Sequence, residues 1–183
     1  MINVVVQIYN ISNNPNPEYT HPTDAGADIR ADFSRVSPEN PIKLYGEGEI
    51  IFAGEGHPTT MLRLEPGSRA IIPTGLYTSI PEGYEIQIRP RSGLSIKKGL
   101  NLTNSIGTID ASYKNEIGVP VINHGFETIW IEDGERIAQM VLSEVPHIDW
   151  QSVKSLSELV GENRGGGFGH SNLDKDGNYI SNK

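Results

Sequence analysis

Gly107-Thr-Ile-Asp-Ala-Ser-Tyr113 reads as a short apolar strand that ends on one carboxylate, with an aromatic ring three residues further on. A strand entering a sheet core avoids charge, and carboxylates are rarely buried unless they are paired or used. Asp110 is therefore expected to be partly buried beside Tyr113 and to be a candidate general base at a binding pocket. The plainer reading of the same residues is a turn aspartate followed by a packing tyrosine. Working outward, the strand pattern repeats. Apolar or alternating runs at Val4–Tyr9, Arg69–Ile72, Glu85–Ile88, Ile117–Ile122, Thr128–Ile131 and Ile137–Leu142 lie between Gly, Pro, Asn and Asp punctuation. Pro73-Thr-Gly75 and Pro81-Glu-Gly83 are turn signals between such runs. Gly93–Gly99 has room for one or two helical turns, Ser152–Val160 is ambiguous, and no long helical period is present. Many short strands at this spacing imply an all-β chain, a barrel or jelly roll.

Composition narrows the possibilities. A chain of 183 residues is long enough to bury a real core in one domain. A net charge of -8 argues against a nucleic-acid-binding surface, which needs a basic stripe. It leaves room for a nucleotide pocket, because a few local arginines can hold a triphosphate inside an acidic protein. The absence of cysteine removes disulfides and thiolate metal sites and fits a reducing compartment. The start, Met1-Ile-Asn-Val-Val-Val-Gln-Ile8, lacks a basic region and a long apolar run and reads as a strand rather than a signal peptide. No window approaches a membrane span. The expectation is a soluble, cytoplasmic protein.

Two regions depart from the strand pattern. Val36–Thr60 is rich in Gly, Pro and Glu around an apolar middle, Glu49-Ile-Ile-Phe52, and reads as an inserted hairpin or long loop. From Gly161 to Lys183 apolar residues thin out and Gly, Asn and Asp take over. The expected organisation is a β domain over residues 1–160 and a flexible C-terminal arm over residues 161–183, which orders over a ligand.

Three further segments carry chemistry. Pro90-Arg-Ser-Gly-Leu94 offers a guanidinium fork, a hydroxyl and an open backbone N–H where a helical turn begins, a combination suited to phosphate oxygens. As a lone tripeptide it is as well explained by an ordinary turn. Gly134-Glu-Arg-Ile-Ala-Gln-Met140 is a turn feeding a strand, with Glu135 and Arg136 solvated or salt-bridged and Gln139 exposed on the plain reading. Arg164-Gly-Gly-Gly-Phe-Gly-His-Ser171 could cradle an anion on backbone amides while Phe168 stacks on a base, or could be a linker.

Taken in order, Ala25–Ala31, Pro90–Leu94, Gly107–Glu116, Gly134–Met140 and Arg164–Ser171 resemble the five motifs of the trimeric dUTP pyrophosphatase (dUTPase) family. The resemblance spans nearly the whole chain. It implies a jelly-roll subunit, a homotrimer with active sites shared between subunits, and Mg²⁺-dependent hydrolysis of dUTP to dUMP and pyrophosphate. By position, Asp110 would deprotonate the water that attacks the α-phosphorus. Tyr113 would pack on the deoxyribose and leave no room for a 2′-hydroxyl. Asn104 to Gly107, with Ile109, would form a hairpin whose backbone reads uracil. Arg91, Ser92, Gly93 and Gln139 would hold phosphates, and Asp28 would meet Mg²⁺ through its waters. From a neighbouring subunit, Phe168 would cover the uracil while Arg164, Gly169 and Ser171 lie near the γ-phosphate.

The chain departs from the family pattern in two motifs, and its Val36–Thr60 insertion is longer than the compact pattern needs. Asn115 stands where the third motif usually has glycine, which would strain a left-handed turn modestly. The fifth motif is one residue shorter between its arginine and Phe168, so Asn163 takes the arginine's usual position. These departures keep open an alternative, a non-catalytic dUTP-binding regulatory module. The related dCTP deaminases need a glutamate acid/base at the position held here by Pro120, which cannot shuttle a proton. Asn172–Gly177 resembles the first half of a calcium loop, but Lys183 stands where the bidentate glutamate belongs. The five histidines have no zinc-ligand spacing.

Overall fold

The alternation seen in the sequence becomes alternating burial. In a computed structural model, which describes residues 3–54, 56–163 and 176, the chain divides into two compact units, one ending at Pro146 and the other beginning at His147. The strands of the first unit are β1 (Gln7–Asn10), β2 (Ala27–Arg30), β3 (Lys43–Tyr45), β4 (Gly48–Ile51), β5 (Met61–Leu64), β6 (Arg69–Ile72), β7 (Leu76–Ser79), β8 (Tyr84–Pro90), β9 (Leu100–Leu102), β10 (Gly107–Ile109), β11 (Val119–Asn123), β12 (Ile129–Glu132) and β13 (Arg136–Glu144). One helix, α1 (Ser92–Lys98), interrupts them. All pairings between these strands are antiparallel: β10-β8-β13-β2, β3-β6-β11-β9, β12-β5-β4 and β1-β7. The architecture is all-β and jelly-roll-like. In the second unit the described residues form one short 3-10 turn, Leu156–Glu158.

Strands such as β2, β8, β11 and β12 bury alternate residues, and a single apolar cluster joins the sheets. Ile29 of β2 and Ile86 and Ile88 of β8 meet Ile72 of β6, Val119 and Val121 of β11, and Leu62 and Leu64 of β5. Burying such side chains is worth about 1.5–3 kcal/mol each, which offsets the entropy of ordering many short strands. The Gly/Pro/Glu-rich stretch 36–60 supplies two strands. β3 adds to the edge of β6 and β4 to the edge of β5, and β3 and β4 are not paired with each other.

Pro120 sits in the interior strand β11, where a missing N–H should break a ladder. Here it does not. The Pro120 carbonyl accepts from the Thr103 N–H at 2.9 Å, one residue beyond the end of β9. In an antiparallel strand N–H and C=O of one residue face the same neighbour. The absent donor therefore points past the last residue of β9.

α1 is short and lacks a side-chain N-cap. Its end is well defined: Gly99 is left-handed (φ 74°) and returns its N–H to the Ser95 carbonyl, and Lys97 and Lys98 complement the C-terminal dipole. Lys98 also pairs with Glu135 at 3.2 Å, tying the helix to the turn before β13.

Candidate active site

The long strand β13 brings the first, second and fourth motifs together. It pairs with β2 on one side and β8 on the other, so that Gln139 lies opposite both Asp28 and Arg89, and Ala138 lies opposite Pro90. Between Arg136 and Ala138 the register with β2 shifts, leaving Ile137 as an extra residue. Such a bulge re-aims side chains. Ile137 and Ala138 are consequently both buried in succession, and the exposed Arg136 reaches back to β2. Its Nη1 meets Asp28 Oδ2 at 3.0 Å, while Arg91 Nε meets Asp28 Oδ1 at 2.9 Å. Arg91 Nη1 donates to the Arg136 carbonyl at 3.2 Å, and Gln139 Nε2 donates to the Pro90 carbonyl at 3.0 Å. One carboxylate thus holds two guanidiniums in place, presenting net positive charge with planar donor forks suited to phosphate.

Beside this cluster Asp28, Arg89 and Gln139, with Thr20, Asp24 and Gly26, line a cavity of about 320 Å³. Gly26 lies close under the Gln139 side chain, and a methyl there would displace the Gln139 amide. Ser92 and Gly93 are exposed at the start of α1, with open space around Gly93. A larger hollow of about 760 Å³ between α1 and residues 124–130 contains none of the expected site residues.

The third motif behaves differently. β10 ends at Ile109, and Asp110 begins a turn in which the Tyr113 N–H donates to the Asp110 carbonyl at 3.0 Å. Asp110 is exposed, not partly buried as its strand context suggested, because the strand stops one residue earlier and the turn lifts the carboxylate outward. Tyr113 is 37 % exposed, and its hydroxyl donates to the Glu116 carbonyl at 2.8 Å. Lys114 Nζ braces the turn on the Ala111 carbonyl and Ser79 Oγ.

Two expectations for this region are corrected. Asn104–Gly107 does not close a hairpin between its flanking strands: β9 pairs with β11 and β10 with β8, so the loop passes from one sheet to another. Ser105 (φ 54°) takes the left-handed position in it, the one non-glycine to do so among the described residues. Asn115 is accordingly not left-handed, and the strain anticipated from its replacing glycine is absent.

The two groups of residues are far apart within one chain. Ile109 lies opposite Ile86, and Arg91 lies five residues further along the β8 direction. At about 3.4 Å per residue, roughly 17 Å of strand separates the level of Ile109 from Arg91, and Asp110 turns further away. Arg164, Phe168, Gly169 and Ser171 lie outside the described residues.

Glu116 is a junction that its spacing did not announce. Its Oε1 accepts from the Thr74 N–H (3.2 Å), the Gly75 N–H (2.8 Å) and Arg35 Nη2 (2.6 Å). Arg35 Nε also meets Asp32 at 3.1 Å. The hydrogen bond to Glu116, followed by that to Asp32, raises the Arg35 pKa against the opposing effect of burial, so the guanidinium stays charged. Arg136 was equally hidden, since a turn arginine is usually solvated and its partner lies 108 positions away.

A family model for dUTPase matches residues 59–172. The chain belongs to the dUTPase family. Curated dUTPase relatives include the deoxyuridine 5′-triphosphate nucleotidohydrolases of Finegoldia magna, 44% identical over 90% of this chain and 96% of that protein, and of Chlamydia pneumoniae, 46% identical over 84% and 88%. Among solved structures, a variant of the Staphylococcus bacteriophage 80alpha dUTPase with dUpNHpp superposes with a TM-score of 0.67 at 27% identity, covering 92% of this chain and 99% of that one. The dUTPase likeness thus extends from sequence to fold.

Beyond the geometry of protein side chains, a metal has to be considered. Among the described residues no three His, Cys, Asp or Glu side chains are grouped to hold a metal ion. Asp28 spends two of about four carboxylate acceptor positions on arginines, leaving others for the waters of a hydrated cation. This donor set suits Mg²⁺ arriving with phosphate oxygens as its direct ligands.

Proposed function

We propose that this chain hydrolyses dUTP to dUMP and pyrophosphate. The observation that carries the reading is the convergence of Asp28, Arg91, Arg136 and Gln139, from three separated motifs, on one anion-suited cluster. Arg91, Ser92, Gly93 and Gln139 hold the triphosphate. Asp110 accepts a proton from water as the water oxygen bonds to the α-phosphorus, and the bond from that phosphorus to the bridging oxygen breaks to release pyrophosphate. Asp28 would hold a hydrated Mg²⁺ through its waters, and that cation would supply positive charge against the phosphates.

The distance between Arg91 and Asp110 supports a site shared between subunits. A triphosphate bound at Arg91 would meet Asp110 and Tyr113 of another copy, so the homotrimer is the working form. Asn104, Gly107 and Ile109 would then read the uracil edge through backbone groups. Cytosine, with donor and acceptor reversed, leaves buried groups unpaired at about 1–3 kcal/mol each. The arm residues Arg164, Phe168, Gly169 and Ser171 would close over the nucleotide from a neighbouring subunit. No helix among the described residues is long and apolar enough to cross a membrane, and a cysteine-free chain fits work in the cytoplasm.

The test is incubation with Mg²⁺ and each of dUTP, dCTP, dTTP and UTP, with products resolved by anion exchange. Release of dUMP and pyrophosphate from dUTP alone is expected, and an inert protein overturns the reading. Deleting the chain from Asn163 onward is expected to lose catalysis while sedimentation still reports the trimer. An active truncated protein refutes closure by the arm.

A further inference from the structure

Asp32 is a carboxylate 1 % exposed that plays no part in the reaction above. It accepts from the Ser34 N–H and hydroxyl and from Arg35 Nε. Arg35 in turn binds Glu116, whose Oε1 also caps the turn at Thr74 and Gly75. A buried charge is costly unless paired and hydrogen-bonded, so such a network usually marks a place where geometry is held.

What it holds is the third motif. The turn from Asp110 to Asn115 is mostly exposed and has little core of its own. Its path is set at the end where Ile117 enters the core at 0 % exposure and Glu116 is clamped by three donors. The Glu116 carbonyl then receives the Tyr113 hydroxyl, and the Tyr113 N–H returns to Asp110. Hydrogen bonds run from buried Asp32 through Arg35 to the Glu116 side chain, and the backbone carbonyl of the same residue receives the Tyr113 hydroxyl, in a peptide whose other end, the Ile117 N–H, donates to the Leu76 carbonyl.

We infer that Glu116, clamped by Arg35, is a positioning residue for Tyr113 and thereby governs discrimination between deoxyribose and ribose triphosphates. This rests on the reading that Tyr113 packs against the sugar of dUTP. A ring fixed through its hydroxyl occupies the space a 2′-hydroxyl would need. A ring released from the Glu116 carbonyl can swing and admit it.

The experiment compares kcat/KM for dUTP and UTP in Glu116→Gln, Arg35→Met, Tyr113→Phe and the double variant carrying Glu116→Gln with Tyr113→Phe, all as full-length chains. Glu116→Gln keeps the shape and an acceptor oxygen but removes the ion pair. Each single variant is expected to lower the dUTP-to-UTP ratio about tenfold, at the scale of one lost discriminating contact. The double variant is expected to lose no more than the larger single loss, because both changes cut one chain of contacts. A fall in melting temperature with an unchanged ratio overturns the inference, as do additive losses. Should the charge variants fail to fold, Tyr113→Phe decides by itself, since it removes only the last hydrogen bond and a retained ratio refutes the proposal. An unaltered protein that turns over no dUTP removes the functional reading and this inference with it. An active unaltered protein with insensitive variants removes the inference alone.

Discussion

The cluster around Asp28 and the turn around Asp110 solve opposite problems. The first is closed on itself: three strands in register, one bulge and two arginine–carboxylate pairs hold Arg91, Arg136 and Gln139 before any ligand arrives. The second is open. The Asp110 carboxylate and the Tyr113 ring stand exposed, anchored from behind by Glu116. Groups that bind a polyanion repel one another and need a built counter-charge to stay placed. A general base needs access to water and substrate and can wait exposed until another surface covers it. On the proposed reading, one chain carries a preassembled half of a site and an unfinished half; the structure places the two groups at opposite ends of β8.

The contrast breaks first at Asp110. Asp110→Asn is expected to lower kcat by about 10²–10⁴, the usual range for losing a general base, with dUTP affinity kept. Steady-state turnover beside a thermal-shift titration separates the two effects, and undiminished kcat removes the base assignment. Arg91→Ala attacks the preassembled half. Losing a charge-assisted hydrogen bond worth about 1.5–3 kcal/mol should cut kcat/KM roughly ten- to a hundredfold, mainly through KM. A loss confined to kcat would instead place Arg91 in the transition state alone.

Gly75 lies behind the open half, where its N–H donates to Glu116 Oε1 at 2.8 Å. It is left-handed (φ 69°), and a methyl there would lie 2.7 Å from Ser12 Cβ and 2.9 Å from Asp32 Oδ2. Gly75→Ala should destabilise by about 1–3 kcal/mol or more, seen as a lower denaturant midpoint. An unchanged midpoint means that the Glu116 clamp tolerates displacement. The smallest effect is expected at Phe126, which is fully exposed and has no part in either cluster. Phe126→Ser should change stability by less than about 0.5 kcal/mol and leave kcat/KM unaltered. A larger change in unfolding or activity would show that this side chain is covered in the working assembly.

How much of this was legible depends on range. The run Arg69–Ile72 coincides with β6 and Ile137–Leu142 lies within β13, because strand character is written in neighbouring residues. Lys43–Tyr45 and Leu100–Leu102 were not marked, since three residues carry too little pattern to stand out. Asp28, Arg91 and Gln139 were named by motif order, whereas the Arg136–Asp28 pair depends on a bulge that no local signal marked. The local pattern puts Asp110 half inside because it runs one residue past the end of β10 at Ile109.

Strand periodicity and turn chemistry are local properties, so the all-β class, the family and the chemical types available at each motif are written in the order of residues. Which of those residues meet is settled in three dimensions. Register across β2, β13 and β8 joins positions more than a hundred residues apart, and a slip of one residue would turn Asp28 or Gln139 to the other face. The same register set Asp110 far from Arg91, because a position along a strand becomes a distance only once its partner strand is known.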